Sequence, residues 1–214
     1  MSRAILTPLN EDVDIINKIA LQKISGEEKI LKSIDKMDDE DNSCLYPVEF
    51  LNSLEVNGLP AHNLILKKRA VIMLLRNLDT ASGACNGTRL IVNNITTRVI
   101  DATIINCSHA NQRYFIPRIP LSPETNILPI KFTRLQFPVR PAFAMTINKS
   151  QGQTLDVMGL YLPKPVFVHG QLNVALTRVT NWRNIHIYVT NHGRYPNDEN
   201  VYTKNIVYKE VLDN

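Results

Sequence analysis

A mixed α/β fold interrupted by a β-rich insertion is what the order of apolar segments predicts for this chain of 214 residues. Three observations lead there. A short apolar run followed at once by a helical pattern opens the chain, and short strand-like segments separated by Asn, Gly and Pro fill its middle. A strand, a helix and a strand then close it, the succession that parallel α/β units require. With 44% hydrophobic and 21% charged residues, the chain can bury one large core or two small ones and is too apolar to be disordered. No apolar run nears the ~18 residues that cross a bilayer, and the start Met1-Ser2-Arg3-Ala4-Ile5 lacks an extended apolar stretch, so neither a membrane segment nor a signal peptide is expected. Cys44, Cys85 and Cys107 are odd in number and far apart, as reduced intracellular thiols would be.

Taken in order, Ala4-Ile5-Leu6 is a strand that Pro8 ends, and Asn10 before Glu11-Asp12 has the form of an N-cap and acidic first turn. A helix is expected from about Glu11 to Leu21, burying Val13, Ile16, Ile19 and Ala20. From residue 25 to 57 the pattern weakens, and Asp38-Asp39-Glu40-Asp41 reads as an exposed linker rather than a metal site. Gly58-Leu59-Pro60 marks a boundary. Residues 64–75, 89–94 and 97–105 then read as strands of a small β-barrel, and Pro117, Pro120, Pro123 and Pro129 restrict the strands after them to edges and bends. Past Phe137-Pro138, Ala142-Phe143-Ala144-Met145 is a buried strand, residues 155–162 a further strand, 172–179 a short helix and 185–189 a final strand. The expected domains are therefore 1–57, 58–137 and 138–191, with 192–214 as a loosely held tail.

Charge is segregated along this plan. Residues 1–55 carry 6 basic and 12 acidic side chains, whereas residues 56–155 carry 12 basic ones against Asp79, Asp101 and Glu124. Such a middle suits a polyanion, or else a solvated face balanced by the acidic segment. Residues 146–154, Thr-Ile-Asn-Lys-Ser-Gln-Gly-Gln-Thr, follow a core strand, and the carboxyl edge of a parallel sheet is where open α/β folds bind ligands. Their hydroxyls, amides and one ammonium suit phosphate oxygens, although an ordinary polar loop has the same look. On the later helix Gln171 and Arg178 sit about two turns apart, so Arg178 either meets phosphate charge or forms a surface ion pair. Cys107 and His109 lack the partners a zinc site needs, so no metal ligand is expected. Tyr46, Tyr114, Phe115 and Trp182 could stack bases or be buried.

The chain resembles the PIF-type DNA helicases, particularly their Helitron-like members, over roughly residues 3–190. The resemblance rests on Arg3-Ala4-Ile5-Leu6-Thr7-Pro8, Tyr46-Pro47 with Glu49-Phe50-Leu51-Asn52-Ser53-Leu54, Met73-Leu74-Leu75-Arg76-Asn77-Leu78-Asp79, Cys85-Asn86-Gly87-Thr88-Arg89-Leu90 and Ile116-Pro117-Arg118-Ile119. Its strongest parts are Gln136-Phe137-Pro138-Val139 through Gln151-Gly152-Gln153-Thr154 and the helix from His169 to Arg178. Relatives usually carry Gly at Arg69, Ser at Thr177 and commonly Tyr at Asn173.

That resemblance implies the C-terminal half of an ATP-dependent, five-prime to three-prime DNA helicase: a second RecA-like α/β domain interrupted by a small SH3-like β-barrel that faces nucleic acid. It implies that Thr146, Asn148, Lys149 and Ser150 contact single-stranded DNA, that Gly152, Gln153 and Gln171 lie near ATP, and that Arg178 is the arginine finger. ATP and Mg2+ are the implied cofactors, with the magnesium ligands on an N-terminal RecA-like lobe that is the implied partner, and the nucleus is the implied compartment. These 214 residues contain no G-x-x-x-x-G-K-[ST] and no Gly-Lys pair, so hydrolysis by the chain alone is not expected. A non-catalytic, single-stranded nucleic-acid-binding remnant of a transposon-derived helicase is the alternative reading.

Overall fold

The computed structural model describes residues 2–38, 46–105, 109–123, 130–190 and 198–208. In chain order, β1 (Arg3–Thr7) leads into α1 (Asn10–Lys23), followed by β2 (Lys29–Lys32), β3 (Ile34–Met37) and α2 (Val48–Ser53). Eight short strands follow: β4 (Asn63–Leu66), β5 (Val71–Leu74), β6 (Arg89–Ile95), β7 (Val99–Ile104), β8 (Arg113–Pro117), β9 (Ile119–Leu121), β10 (Phe132–Gln136) and β11 (Val139–Pro141). The chain then forms β12 (Ala144–Thr146), a 3-10 turn at Asn148–Ser150, β13 (Val157–Leu162), α3 (Gln171–Leu176) and β14 (Ile185–Val189). Two compact units result, Met1–Ala20 with Ala142–Asn214, and Leu21–Pro141.

The first unit is an α/β layer. Its four strands lie in the order β12-β1-β13-β14, and every neighbouring pair is parallel. Leu6, Met145, Met158, Leu160 and Leu162 are buried along it. Helix α1 begins where the Asn and acidic residues predict, yet it buries Val13, Asn17 and Leu21 while Ile19 is 48% exposed. The reason is a polar anchor. Asn17 Nδ2 donates to the Ala144 carbonyl and Asn17 Oδ1 accepts the Ala144 N–H at 2.8 Å, so the amide acts as one more strand residue on the open edge of β12. Asn17→Ala strips both partners from a buried backbone, and we expect a loss of about 2 kcal/mol in chemical denaturation.

The second unit holds three antiparallel sheets, β11-β5-β6-β7-β8, β3-β10-β9 and β2-β4. The five-stranded sheet does not close. Its edge strands β11 and β8 are not paired to each other among the described residues, so the expected barrel is an open sheet here. Both edges end in proline, Pro141 and Pro117, which have no N–H to extend a ladder.

The unit boundaries differ from those expected at 57/58 and 137/138. Within the stretch from 25 to 57, where the sequence pattern weakens, the described residues carry regular structure: β2 pairs with β4, β3 pairs with β10, and Leu51 of α2 packs with Ile130 and Phe132. Strand β11 pairs with β5 and so belongs with the second unit. Of the acidic run, Asp38 accepts a hydrogen bond from Thr133 Oγ1, while residues 39–41, Cys44 and Cys107 lie outside the described residues. The described part of the tail, 198–208, is bonded back into the first unit: Gly170 N donates to the Ile206 carbonyl, Tyr208 N donates to His169 Nδ1, and the His169 and Tyr208 rings stack at 5.2 Å. Among the described residues no helix is long and apolar enough to cross a membrane.

Candidate nucleotide and DNA site

The candidate site forms where β1 and β12 end. Thr7 and Thr146 are register partners at the carboxyl ends of these strands, and Ile147 N donates to the Thr7 carbonyl, continuing the ladder by one residue. The chain then turns sharply. Ser150 is fully buried and donates to the Ile147 carbonyl at 2.6 Å, which closes the 3-10 turn and satisfies its hydroxyl internally. Thr146 Oγ1 accepts the Lys149 N–H at 3.4 Å. Thr146 and Ser150 therefore shape the turn, and Asn148 and Lys149 are the side chains that it presents to solvent. Thr7, which the sequence analysis did not single out, donates to Asp12 Oδ2 at the start of α1. Its position next to a proline-ended strand was the available signal.

Gly152 adopts φ +75, and a Cβ there would meet nothing within 4 Å. Conformation alone demands glycine at that point. Gln153 N donates to the Ser150 carbonyl, and Gln153 Nε2 reaches the Lys149 carbonyl at 3.4 Å.

Helix α3 ends at Leu176, shorter than expected, because Thr177 has φ −84 and ψ 3 and leaves the helical path. Arg178 thus lies beyond the helix, and its N–H bonds the Ala175 carbonyl in a closing turn. The guanidinium folds back on its own element and on the 146–154 segment. Nε donates to the Val174 carbonyl at 2.8 Å, one terminal nitrogen to Thr177 Oγ1 at 2.9 Å, and the other to the carbonyls of Ser150 and Gln153 at 3.5 and 3.4 Å. The Arg178 carbonyl accepts from Leu155 N, and Leu155 bridges Val179 in parallel. One arginine and one short bridge therefore join the two motifs.

Gln171 lies elsewhere in this arrangement. It is 2% exposed, its Oε1 accepts the Phe167 N–H, and its buried Nε2 has no hydrogen-bond partner among the described residues. It supports the turn into α3, which starts at Gly170 with φ +70. Of the four aromatics, Tyr46 stacks on Phe50 and Tyr114 is half-buried, while Phe115 and Trp182 are exposed.

A family model described as the DNA helicase Pif1 2B domain matches residues 49–95. The ATP-dependent DNA helicase PIF1 of Xenopus laevis is 30% identical over 188 residues, covering 83% of this chain and 26% of the relative. Human PIF1 is 27% identical with the same coverage of each chain. Among solved structures, a Pif1 helicase from work on forked-duplex unwinding by two coordinating Pif1 molecules aligns with TM-score 0.69 and 25% identity, over 99% of this chain and 43% of that one. A Bacteroides Pif1 bound to single-stranded DNA has the same fold, with TM-score 0.70 and 24% identity over 99% of this chain and 44% of that one. An α/β unit with the fold of these helicase structures carries the candidate site. Over the part of its length that these matches cover, the chain is similar to the PIF-type DNA helicases. It spans about a quarter of the length of the curated relatives it matches.

Proposed function

We propose that this chain is the C-terminal half of an ATP-dependent, five-prime to three-prime DNA helicase, in which the first unit is the second RecA-like domain and the five-stranded sheet takes the part of the SH3-like insertion. The observation that carries this reading is the link from Arg178 to the carbonyls of Ser150 and Gln153. The Nε anchor at 2.8 Å is short, whereas the two bonds to the loop are long and weak. An arginine held this way can pass its terminal nitrogens from loop carbonyls to a phosphoryl group, and the 146–154 segment would move with that exchange. Lys149 and Asn148 meet the phosphates of single-stranded DNA, Thr146 and Ser150 hold their turn, and Gly152 and Gln153 flank the nucleotide. The nucleus is the compartment by the same likeness.

ATP binding and magnesium require groups outside these residues. Among the described residues no three His, Cys, Asp or Glu side chains converge to hold a metal. Magnesium would neutralise phosphate charge on the partner lobe, and this chain's part is to bring the Arg178 guanidinium.

Binding of a labelled oligothymidylate strand tests the DNA half of the proposal. With about four phosphates neutralised, log affinity should fall against log salt with a slope of about −3. Lys149→Ala should weaken binding and make that slope shallower by about 0.7. Affinity that ignores salt, or a Lys149→Ala protein indistinguishable from the parent, contradicts the proposal.

A further inference from the structure

The four-stranded sheet of the first unit ends at β14, whose outer edge has no neighbouring strand among the described residues. Parity along the strand says which backbone groups lie there. Thr190 N donates to the Leu162 carbonyl, and successive residues of a strand turn their N–H and C=O groups to opposite sides. His186, Tyr188 and Thr190 therefore face β13, while Ile185, Ile187 and Val189 face outward. The Ile185 N–H is already used, since it closes the 3-10 turn at Trp182–Asn184 on the Trp182 carbonyl. The Ile185 carbonyl and both backbone groups of Ile187 and Val189 are left at the open edge.

Other sheet edges of this chain carry features that keep a further strand from adding. Pro117, Pro120 and Pro141 lie in β8, β9 and β11, lysines lie in β2 and β3, and the Asn17 amide occupies the edge of β12. Strand β14, Ile-His-Ile-Tyr-Val, has no proline, glycine, lysine or acid. Its side chains, His186 apart, are apolar or aromatic and open on both faces. Ile187 is 54% and Tyr188 61% exposed, Tyr161 stacks on Tyr188 at 5.7 Å, and Trp182 stands exposed just before the strand.

We propose that β14 is a self-association surface, on which β14 of a second copy of this chain adds in antiparallel register about a twofold axis through Ile187. The outward groups fix that register. The two Ile187 residues exchange both of their bonds, and each Val189 N–H reaches the Ile185 carbonyl of the second copy, so the Ile185 N–H is not needed. Ile187 then stands beside Ile187 and Ile185 beside Val189 on one face, with His186 beside Tyr188 on the other. No like charges meet, which is why an identical strand suits this edge. A pair of five-residue strands covers less than the ~1,200 Å² of a stable interface, so the dimer is weak, with a dissociation constant on the order of 100 µM. None of the residues 146–154, nor Gln171 or Arg178, takes part, and the pairing needs neither nucleotide nor DNA.

Sedimentation velocity of the full chain, with no nucleotide or DNA present, tests this over protein concentrations from about 5 to about 500 µM, a range that brackets that constant. The weight-average mass should rise from that of one chain toward that of two. Ile187→Lys and Ile187→Glu, each checked by thermal melting for a parent-like fold, set like charges opposite each other on the axis and should stay monomeric throughout. An equimolar mixture of the two variants should dimerise again, because lysine then faces glutamate, a recovery that general adhesion of an apolar patch would not give. A parent that is monomeric throughout overturns the proposal, even if its edge takes up an unrelated extended peptide, and so do variants that dimerise as the parent does. A mixture that stays monomeric overturns the antiparallel register and the proposal with it.

Discussion

Arg178→Ala, in a protein that joins this chain to an intact first lobe, is expected to lower DNA-stimulated ATP turnover by about 10³–10⁵-fold, the contribution of an arginine finger. That corresponds to roughly 4–7 kcal/mol of transition-state stabilisation, far above the ~1 kcal/mol of an exposed ion pair. Steady-state phosphate release with saturating single-stranded DNA reads it. The sequence alone suggests that catalysis and DNA binding separate cleanly, with Arg178 serving only the first. The structure changes that expectation, because the same guanidinium holds the carbonyls of Ser150 and Gln153. DNA affinity should therefore fall too, by no more than about tenfold, since two long hydrogen bonds contribute about 1 kcal/mol or so. Arg178→Lys keeps the charge and loses both the Nε anchor and the fork, so its turnover should stay close to that of the alanine variant. A loss of turnover below about tenfold would make Arg178 a structural clasp and nothing more.

Arg134→Ala is expected to cost about 3–5 kcal/mol and to abolish the cooperative unfolding transition of the second unit. Both partners of the Arg134–Asp35 pair are fully buried, at 2.7 Å. The guanidinium also donates to the carbonyls of Leu51, Leu54 and Pro60, so it fastens α2 and the loop before β4 onto β10. Removing it leaves the buried Asp35 carboxylate with the Ser33 hydroxyl but no counter-charge, and takes a donor from each of the three carbonyls. The charge is the larger part of that cost. Arg134→Met with Asp35→Leu removes both ions and should be less destabilised than Arg134→Ala, which urea denaturation followed by far-UV circular dichroism would show.

This pair also explains why residues 25–57 were illegible as structure. In residues 30–36 the inward positions are Leu31, Ser33 and Asp35, while Ile30 and Ile34 face solvent. Alternation read as apolar-in therefore points the wrong way, and the Arg134 that makes an inward Asp35 tolerable lies 99 residues on. Asn17 is the same case on a helix: a polar residue is buried because a strand edge needs its amide, and Ile19 is displaced outward. Where burial followed hydrophobicity, as in β1, β6 and β13, the elements were legible to within a few residues. The candidate site was legible as two motifs, since spacing and residue type place 146–154 after a strand and Arg178 after Gln171. The bonds that join the motifs were not, because they run to backbone carbonyls whose positions depend on the fold of the whole unit. The bond from the Phe167 N–H to Gln171, which closes the turn into α3, was not legible either, because it too depends on the folded backbone.

The central claim is that this chain supplies half of a DNA-driven ATP hydrolase, and ATP turnover with and without a joined first lobe tests it most directly. These 214 residues alone, with single-stranded DNA present, should release phosphate no faster than buffer, because they contain no Gly-Lys phosphate loop. Joined to a first lobe that carries one, they should hydrolyse ATP at ~1 per second or faster, and only when single-stranded DNA is added. Turnover by the chain alone, or a joined protein whose hydrolysis ignores DNA, would contradict the account.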